Sequence, residues 1–313
     1  MEVWIPNQKN RLKKVLLGSV PTPKVMEKHL KKALPKSIEK VLIETKEDLD
    51  EIKIKYQALD VEVLSYDAEP TSVSHCINVR NGFLVVDDHM YINEKINMLD
   101  PLYEAIENKT FSNHHGHYAP DIYIHDDYAI LDRLDREVYQ FWRDKLSKTR
   151  KIITAFNEGH SDGIYCNVGD KIWLTNGNAL PFEKHWPRTP VMELSQTNGG
   201  IINDWTPVEQ LYRSKELKKT EGRFLILKHE MDTQDVEFVE RYLKDWVGYC
   251  EETIFDLNLS IIDEENVMAI SQNSLVYERL ESLGIKVHKV PFRHRFFWDG
   301  GLHCITNDLV REK

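Results

Sequence analysis

The chain has 313 residues and a formal net charge of −10 at pH 7, and 41% of its residues are hydrophobic. This composition is typical of a folded protein, and the acidic surplus argues against a nucleic-acid partner, because binding phosphates requires a surplus of cations. No apolar run is long enough to cross a bilayer, the first residues lack a secretory signal, and the four scattered cysteines do not form a disulfide framework. We therefore exclude membrane and secreted classes and expect a cytoplasmic protein.

The first part of the chain predicts a strand, a long helix and a hairpin. Residues 15–18 are apolar and predict a strand, whereas residues 24–56 carry apolar side chains at helical spacing and predict a long polar helix. Residues 83–86 and 90–92 are two β runs joined through Asp87-Asp88-His89, which predicts a hairpin.

The second part repeats the hairpin and adds a helix and another strand. The predicted strands are residues 163–168 and 171–175, joined through Gly169-Asp170, residues 224–227, and residues 259–262 and 267–270, joined through a polar turn. A helix that ends near Gly284 follows, and residues 285–290 then alternate apolar and polar side chains as a half-buried strand does. Because several units share the order strand, strand, helix, strand, we predict a repeat-built α/β protein with a single domain of residues 1–313.

The segment with the strongest chemical signal lies near the C-terminus. Gly300 and Gly301 permit a sharp turn or a close backbone approach, and Cys304 follows them next to His303. A thiolate at the mouth of a site is a good nucleophile when cations, a hydrogen-bond donor or a helix N-terminus stabilise it. Alternatively, Cys304 is a small buried residue of a strand, which is the commonest position of a free cysteine. The residues alone leave both interpretations open.

A second candidate segment lies in the middle of the chain. His160 and Asp162 are two positions apart, so their side chains would project into one space if the chain is extended there. A histidine exchanges protons near neutral pH, and a carboxylate can hold a guanidinium group in bidentate contact. The alternative is a loop in which Asp162 only caps a turn.

Two other polar groups have weaker signals. The run His114-His115-Gly116-His117, together with His125, suggests a metal, but no Cys or acidic ligand stands at a recognised zinc spacing. We therefore predict a polar surface loop there and no metal site. The cluster Arg293-His294-Arg295 either binds an acidic substrate group or forms a solvated edge. The common motifs of nucleotide-binding proteins, zinc proteases, serine hydrolases and dithiol enzymes are absent.

Together these segments resemble the amidinotransferases, which include glycine amidinotransferase and inosamine-phosphate amidinotransferase, of the guanidino-modifying (pentein) superfamily. The sequence GGLHCITNDLVR, residues 300–311, is similar to the family's ending GGxHCxTxDxxR, with Cys304 at the nucleophile position. His160-Ser161-Asp162 is similar to the family's HxD motif, residues 10–18 to its first strand, and Arg80-Asn81 stands where the family carries an Arg-Asp pair. The resemblance implies a five-bladed α/β propeller of ββαβ repeats around one site.

The resemblance also implies a mechanism without a metal or cofactor. The Cys304 thiolate attacks the guanidinium carbon of arginine or a similar donor, and His160 protonates the departing amine, which leaves an amidino group on sulfur. His160 then removes a proton from an acceptor amine similar to glycine, and the covalent intermediate collapses. The positions that the resemblance implies for substrate binding are Arg80, Asn81, Asp162 and His303.

The chain departs from the family pattern at three places. Asn81 stands where the family has an aspartate. Tyr118 aligns with the acid that orients the histidine, and that role could fall to Asp121, which aligns three positions later, or to Asp126 or Asp127. Residues 175–180 lack the cation that holds the donor's carboxylate, so the substrates can differ from arginine and glycine.

Three functions therefore compete. The first is an amidinotransferase that acts on small molecules and can form a homo-oligomer. The second is a hydrolase of the same superfamily, a deiminase, in which water replaces the acceptor amine. The third is a guanidino-binding protein without turnover, which Asn81 suggests. The GGxHCxT ending favours the transferase.

Overall fold

The structure is a computed structural model, and it describes residues 1–93, 95–111, 119–132, 136–155, 161–175, 190–193, 217–219, 225–227, 256–270, 274–298 and 300–313. The α-helices there are α1 (Pro23–Leu30), α2 (Lys36–Gln57), α3 (Val73–Ile77), α4 (Asp100–Ala105), α5 (Arg136–Leu146), α6 (Ser274–Ser282) and α7 (Arg295–Trp298). Short 3₁₀ helices span Val79–Gly82, Asn97–Leu99, Ala119–Asp121 and Ser161–Gly163. Within the described ranges, no helix has the length and apolar character needed to cross a membrane.

The strands of the first half are β1 (Leu12–Leu17), β2 (Glu62–Leu64), β3 (Phe83–Val86), β4 (His89–Ile92), β5 (Lys109–Phe111), β6 (Ile122–His125), β7 (Tyr128–Leu131) and β8 (Lys151–Thr154). Those of the second half are β9 (Tyr165–Val168), β10 (Ile172–Thr175), β11 (Val191–Glu193), β12 (Leu217–Lys219), β13 (Leu225–Leu227), β14 (Ser260–Asp263), β15 (Asn266–Ala269), β16 (Lys286–Lys289) and β17 (Thr306–Arg311).

The described residues form five three-stranded sheets with one topology. In each sheet the middle strand pairs antiparallel with one neighbour and parallel with the other. The sheets are β17-β1-β2, β3-β4-β5, β6-β7-β8, β9-β10-β11 and β14-β15-β16, and β12 and β13 form a separate pair. A parallel pair needs a crossover connection, which α4, α5 and α6 supply in three of the sheets. The predicted α/β class is therefore confirmed.

The predicted long helix of residues 24–56 is wrong, because the chain breaks between α1 and α2. Lys31 adopts a left-handed conformation with φ 54° directly after α1, and Pro35 precedes α2. Proline supports the start of a helix but not its interior, so the break lies where the sequence requires it. The buried face of α2, which includes Ile38 and Leu49, packs in one core with β1.

The two ends of the chain meet in one sheet, since β17 pairs antiparallel with β1 from Leu12↔Arg311 to Leu17↔Thr306. The side chain of Arg311 is only 2% exposed, and its Nη2 lies 2.7 Å from Oδ2 of Asp308. The same guanidinium donates to the carbonyls of Asn10 and Ile261. Arg311, paired with Asp308 of its own strand, thus binds β17 to the residue Asn10 before β1 and to β14.

We expect Asp308→Ala to lower the free energy of unfolding by about 3 kcal/mol, because it leaves the buried Arg311 charge without its counter-ion. Urea unfolding at pH 7 measures the loss. Glu312→Ala is the matched control: the ion pair of Glu312 with Lys13 is exposed, so its loss should cost less than about 1 kcal/mol. Equal effects of the two substitutions would contradict the assignment.

The cluster Arg293-His294-Arg295 lies against α2 in the segment that leads to the double glycine. The backbone N–H and Nε of Arg293 donate to the carboxylate of Asp48 at 2.6 and 2.8 Å, and Asp48 is 1% exposed. Nε2 of His294 lies 2.7 Å from Oε2 of Glu44. Arg293 and His294 thus join this segment to the acidic residues of α2, and the 41% exposure of the Arg293 side chain agrees with the interpretation as a solvated edge.

Candidate active site

Cys304 lies in a tight turn between the double glycine and β17. The N–H of Ile305 donates to the carbonyl of Gly301 at 3.1 Å, and Oγ1 of Thr306 donates to the carbonyl of Leu302 at 2.6 Å. The carbonyl of Cys304 accepts a hydrogen bond from the N–H of Arg80 at 3.2 Å. The residue is 6% exposed, so its sulfur belongs to an enclosed, partly polar environment.

Cys304 is held by Asn258, a residue that belongs to no sequence motif. Asn258, which is 1% exposed, precedes β14 and reaches Cys304 with both ends of its amide. Its Nδ2 donates to Sγ of Cys304 at 3.1 Å, and its Oδ1 accepts from the N–H of Cys304 at 3.1 Å. No sequence motif predicts Asn258, because an isolated asparagine near the start of a strand carries no chemical signal.

The double glycine makes room for these contacts. A β-carbon on Gly301 would lie 2.7 Å from both Cβ and Oδ1 of Asn258. A β-carbon on Gly300 would lie 2.9 Å from Cβ of Cys304 and 2.8 Å from Oδ1 of Asn78. These distances are closer than carbon and oxygen atoms approach without displacement, so both positions require glycine for packing.

Arg80 and Asn81 lie in the 3₁₀ turn Val79–Gly82, directly beside the cysteine segment. Arg80 is 4% exposed, and its Nη1 donates to Oδ1 of Asn307 at 3.2 Å. Asn81 is half-buried, and its carbonyl accepts from Nδ2 of Asn93 at 3.2 Å. Arg80 thus supplies the N–H that bonds the carbonyl of Cys304, and Asn81 follows it in the chain. The side chain of Arg80 contacts the C-terminal strand.

Three 3₁₀ turns stand side by side, each at the start of a hairpin. Val79–Gly82 contacts Ala119–Asp121, and Ala119–Asp121 contacts Ser161–Gly163. The carbonyl of Asp121 accepts hydrogen bonds from the N–H of Asp132 at 3.0 Å and from Oγ of Ser161 at 3.4 Å. The fold therefore brings the cysteine segment, the Arg80-Asn81 turn, Asp121 and the Ser161 turn into one row.

The HxD segment is described only in part. His160 and the side chain of Asp162 lie outside the described residues. Of the two conformations considered for this segment, the extended one does not occur at Ser161–Gly163, which is a 3₁₀ turn, and the strand predicted for residues 163–168 begins only at Tyr165. Oγ of Ser161 lies 3.4 Å from Oδ2 of Asp132, a fully buried carboxylate that no sequence motif predicts. Its position as the first polar residue after the apolar run 129–131 was the available signal.

Asp126 and Asp127 form the turn of the β6–β7 hairpin, at the opposite end of β6 from Asp121. They follow β6, whereas Asp121 precedes it, and a four-residue strand spans about 13 Å. Asp126 pairs with Lys9, whose Nζ lies 2.7 Å from its Oδ2. Among the three acids considered from sequence, Asp121 is thus the one at the level of the Ser161 turn.

His125 is not part of a surface loop, which corrects the expectation for this residue, while residues 112–118 lie outside the described part. It ends β6, is 2% exposed and packs against the ring of Trp173. His125, Asp126 and Asp170 offer ligand atoms within 4.8 Å of one another. Nζ of Lys9 lies 2.7 Å from Asp126 and 3.7 Å from Asp170, so an ammonium group already compensates these carboxylates.

Burial lowers the pKa of His125 to about 4. Between pH 6.5 and 4, His125 is therefore protonated in the unfolded chain and neutral in the folded chain. The free energy of unfolding consequently falls as the pH falls. We expect this residue to contribute about 3 kcal/mol to that fall. Urea unfolding of His125→Gln should show a flatter pH dependence than the parent chain, and His29→Gln, at an exposed position, is the matched control for the loss of an imidazole. Parallel slopes for the parent and His125→Gln would contradict the prediction.

Two other cysteines differ from Cys304 in their surroundings. Burial raises the pKa of the Cys166 thiol to about 12 and also raises the pKa of Cys76. Both are therefore held as thiols at neutral pH, and neither has a reactive environment.

His303, next to Cys304, is half-buried, and its N–H donates to the carbonyl of Asn258 at 3.4 Å.

Part of the chain is similar in sequence to glycine amidinotransferases. It is 42% identical over 55 residues to the mitochondrial glycine amidinotransferase of Danio rerio and 36% identical over 55 residues to that of Xenopus laevis. Each match covers 18% of this chain and 13% of the relative. No family model matches the chain.

The fold is similar to solved structures over nearly the whole chain. An amidinotransferase of Microseira wollei, in the saxitoxin biosynthetic pathway, has a TM-score of 0.67 at 13% identity and covers 99% of this chain and 98% of its own. The inosamine-phosphate amidinotransferase of Streptomyces griseus has a TM-score of 0.67 at 14% identity, covering 99% and 97%. A dimethylarginine dimethylaminohydrolase of Pseudomonas aeruginosa, complexed with citrulline, has a TM-score of 0.58 at 11% identity, covering 96% and 100%. The chain therefore has the fold that these amidinotransferases and hydrolases share, and its resemblance to the amidinotransferase family, predicted from the sequence, is confirmed.

Proposed function

We propose that this chain is an amidinotransferase that moves the amidino group of an arginine-like donor to an amine acceptor similar to glycine, through a covalent intermediate on Cys304. The observation that carries the proposal is the placement of the Cys304 sulfur beside the Asn258 amide, in a segment bonded to the first of three adjoining turns. The last of these turns begins one residue after His160. The likeness to two amidinotransferases and the match to glycine amidinotransferase support the reaction class.

In the proposed first half-reaction, the thiolate of Cys304 attacks the guanidinium carbon. The S–C bond forms, the C–N bond to the departing amine breaks, and His160 protonates that amine. In the second half-reaction the acceptor amine attacks the same carbon and gives a proton to His160, and the thiolate leaves. No metal or organic cofactor enters this scheme. Asp121 or the buried Asp132, both in contact with Ser161, would orient His160.

The proposed substrate contacts are Arg80, Asn81, Asp162 and His303. Asn78 is an additional candidate, since its Oδ1 is buried next to Gly300 and has no hydrogen-bond partner in the part of the chain that the structure describes. Its Nδ2 donates to the carbonyl of Trp298 at 2.9 Å, so the free acceptor is held in place and suits the N–H groups of an amidino group. Because a buried acceptor without a partner is costly, a donor that reached it would bind favourably.

The proposal has three further parts. We propose that the five sheets form a five-bladed propeller within one domain of residues 1–313, as the resemblance implies. The substrates are small molecules, and a homo-oligomer is compatible with the scheme. A reducing compartment such as the cytosol would keep the Cys304 thiol available.

A hydrolase is the second candidate function, and the likeness to dimethylarginine dimethylaminohydrolase favours it. In that case water takes the place of the acceptor amine. Hydrolysis of the amidino adduct that remains after ornithine has left yields urea, whereas departure of ammonia in the first step leaves an adduct that still carries the ornithine part, and its hydrolysis yields citrulline.

Intact-mass analysis after incubation with arginine tests both functions. An amidinotransferase should release ornithine and gain the mass of one amidino group, which peptide mapping should place on Cys304 rather than on Cys76 or Cys166. Addition of glycine or another amine should then remove the added mass and form a new guanidino compound. Release of citrulline or urea without an amine would establish the hydrolase instead. Arginine binding without any adduct would contradict both enzymes and support a guanidino-binding protein.

A further inference from the structure

The contact between Asn258 and Cys304 has only one possible orientation. A backbone N–H can only donate, so the atom of the Asn258 amide that lies 3.1 Å from the N–H of Cys304 must be the oxygen. The NH₂ group of the same amide therefore lies 3.1 Å from Sγ and donates to it. Since this geometry excludes the flipped amide, the sulfur faces a hydrogen-bond donor.

The packing around Asn258 keeps this donor in place. The side chain is 1% exposed, and Gly301 approaches it so closely that a β-carbon there would lie 2.7 Å from its Oδ1. The carbonyl of Asn258 also accepts from the N–H of His303 at 3.4 Å. The amide is thus bound at its oxygen and at its backbone, and its NH₂ group cannot rotate away from the sulfur without breaking the bond to Cys304.

We propose that Asn258 is a positioning residue that stabilises the thiolate form of Cys304 and fixes the direction of its sulfur; this inference rests on the proposed function of Cys304 as the nucleophile. A donor to sulfur is a stronger partner for a thiolate than for a thiol or a thioether, because hydrogen bonds to charged groups are the stronger ones. In the first half-reaction Asn258 favours the ionised nucleophile. In the second it favours the departure of the thiolate when the S–C bond breaks.

If Asn258 only held the backbone of Cys304 in place, it would need only the hydrogen bond from the Cys304 N–H to its side-chain oxygen. Asn258→Asp separates the two roles, because a carboxylate keeps an oxygen for that N–H but places an acceptor, instead of a donor, against the sulfur. Asn258→Ala removes the donor without adding a negative charge. Asn167→Ala is the matched control, since Asn167 is a 3% exposed asparagine whose Nδ2 donates to the carbonyl of Ile172.

The measurement is the rate at which iodoacetamide alkylates Cys304 as a function of pH, followed by peptide mass spectrometry in the full chain without substrate. We expect both Asn258 variants to alkylate about tenfold or more slowly at pH 7, with the midpoint of the pH profile at least about one pH unit higher. Asn167→Ala should keep the parent profile, and all variants should react alike in urea.

Two results would overturn the inference. If Asn258→Ala keeps the parent profile, the amide does not stabilise the thiolate, whatever Asn258→Asp does through its charge. If the profile of every folded variant equals that of the urea-unfolded chain, the site has no effect on the sulfur at all. Because no guanidino donor is present, a failure to form an amidino adduct with arginine would disprove the proposed function without changing this outcome.

Discussion

Replacement of Cys304 by serine will lower amidino transfer by about 10³-fold or more and will abolish the covalent adduct with arginine. A hydroxyl at this position is a far weaker nucleophile than a thiolate at neutral pH, and the hydrogen bond that the Asn258 amide would donate to it does not ionise the hydroxyl. The assay measures ornithine release under single-turnover conditions, together with the intact mass of the protein. The substitution removes no large side chain, so urea unfolding should give nearly the parent free energy of unfolding.

The matched control is Cys166→Ala. Cys166 lies in β9, is 3% exposed and has a thiol whose pKa burial raises to about 12, so it takes no part in the proposed chemistry. This variant should lose some stability and keep its transfer rate. Transfer that survives Cys304→Ser would disprove the covalent mechanism, and an adduct that maps to Cys166 would assign the nucleophile elsewhere.

Introduction of a methyl group at Gly301 will displace Asn258 from Cys304. In Gly301→Ala the new β-carbon would lie 2.7 Å from Cβ and Oδ1 of Asn258, and Asn258 has no solvent-exposed space into which to move. Overpacking of this kind costs about 1–3 kcal/mol of stability. We also expect arginine adduct formation to slow by about 10²-fold, because a misplacement of about 1 Å at a reacting group has effects of that size.

Gly284→Ala separates the stability effect from the reactivity effect. Gly284 has φ +72°, which an alanine adopts only with strain of about 1–2 kcal/mol. Among the described residues, a β-carbon there would meet only Nζ of Lys171, at 4.0 Å. This variant should therefore lose stability but form the adduct at the parent rate. Equal loss of adduct formation in both glycine variants would show that general destabilisation, and not the Asn258 contact, controls the reaction.

The hairpins were predictable from the sequence where turn residues and β runs adjoin. Residues 83–86 were predicted and form β3, and the predicted runs around 263–266 differ from β14 and β15 by one residue. The hairpin of β6 and β7 was not predicted, although Ile122-Tyr123-Ile124 is apolar and its turn Asp126-Asp127 is similar to the turn Asp87-Asp88 of the predicted hairpin. Asp126 adopts φ +44°, a conformation that aspartate tolerates better than most residues.

The candidate site was predictable only where its residues form a motif. Cys304 and the double glycine carry a local signal, since a close backbone approach demands glycine whatever the fold. Asn258 carries none, because the contact that gives it a role joins residues 46 positions apart. Arg293 illustrates the same limit: its sequence neighbours are compatible with a substrate contact or a solvated edge, and its partner Asp48 is 245 positions away.

The amino-acid sequence by itself therefore determined the α/β class, the repeated hairpins and the choice of residues 300–304 as the candidate site of chemistry. These features follow from backbone preferences and side-chain alternation, which act between residues close in the chain. Only the tertiary structure decided that an asparagine holds the sulfur, that Asp121 and Asp132 lie at the Ser161 turn, and that the motif's aspartate and arginine fasten the last strand. A lone polar side chain has the same local preferences in solvent and in a core, so its role depends on which distant segment the packed sheets bring against it.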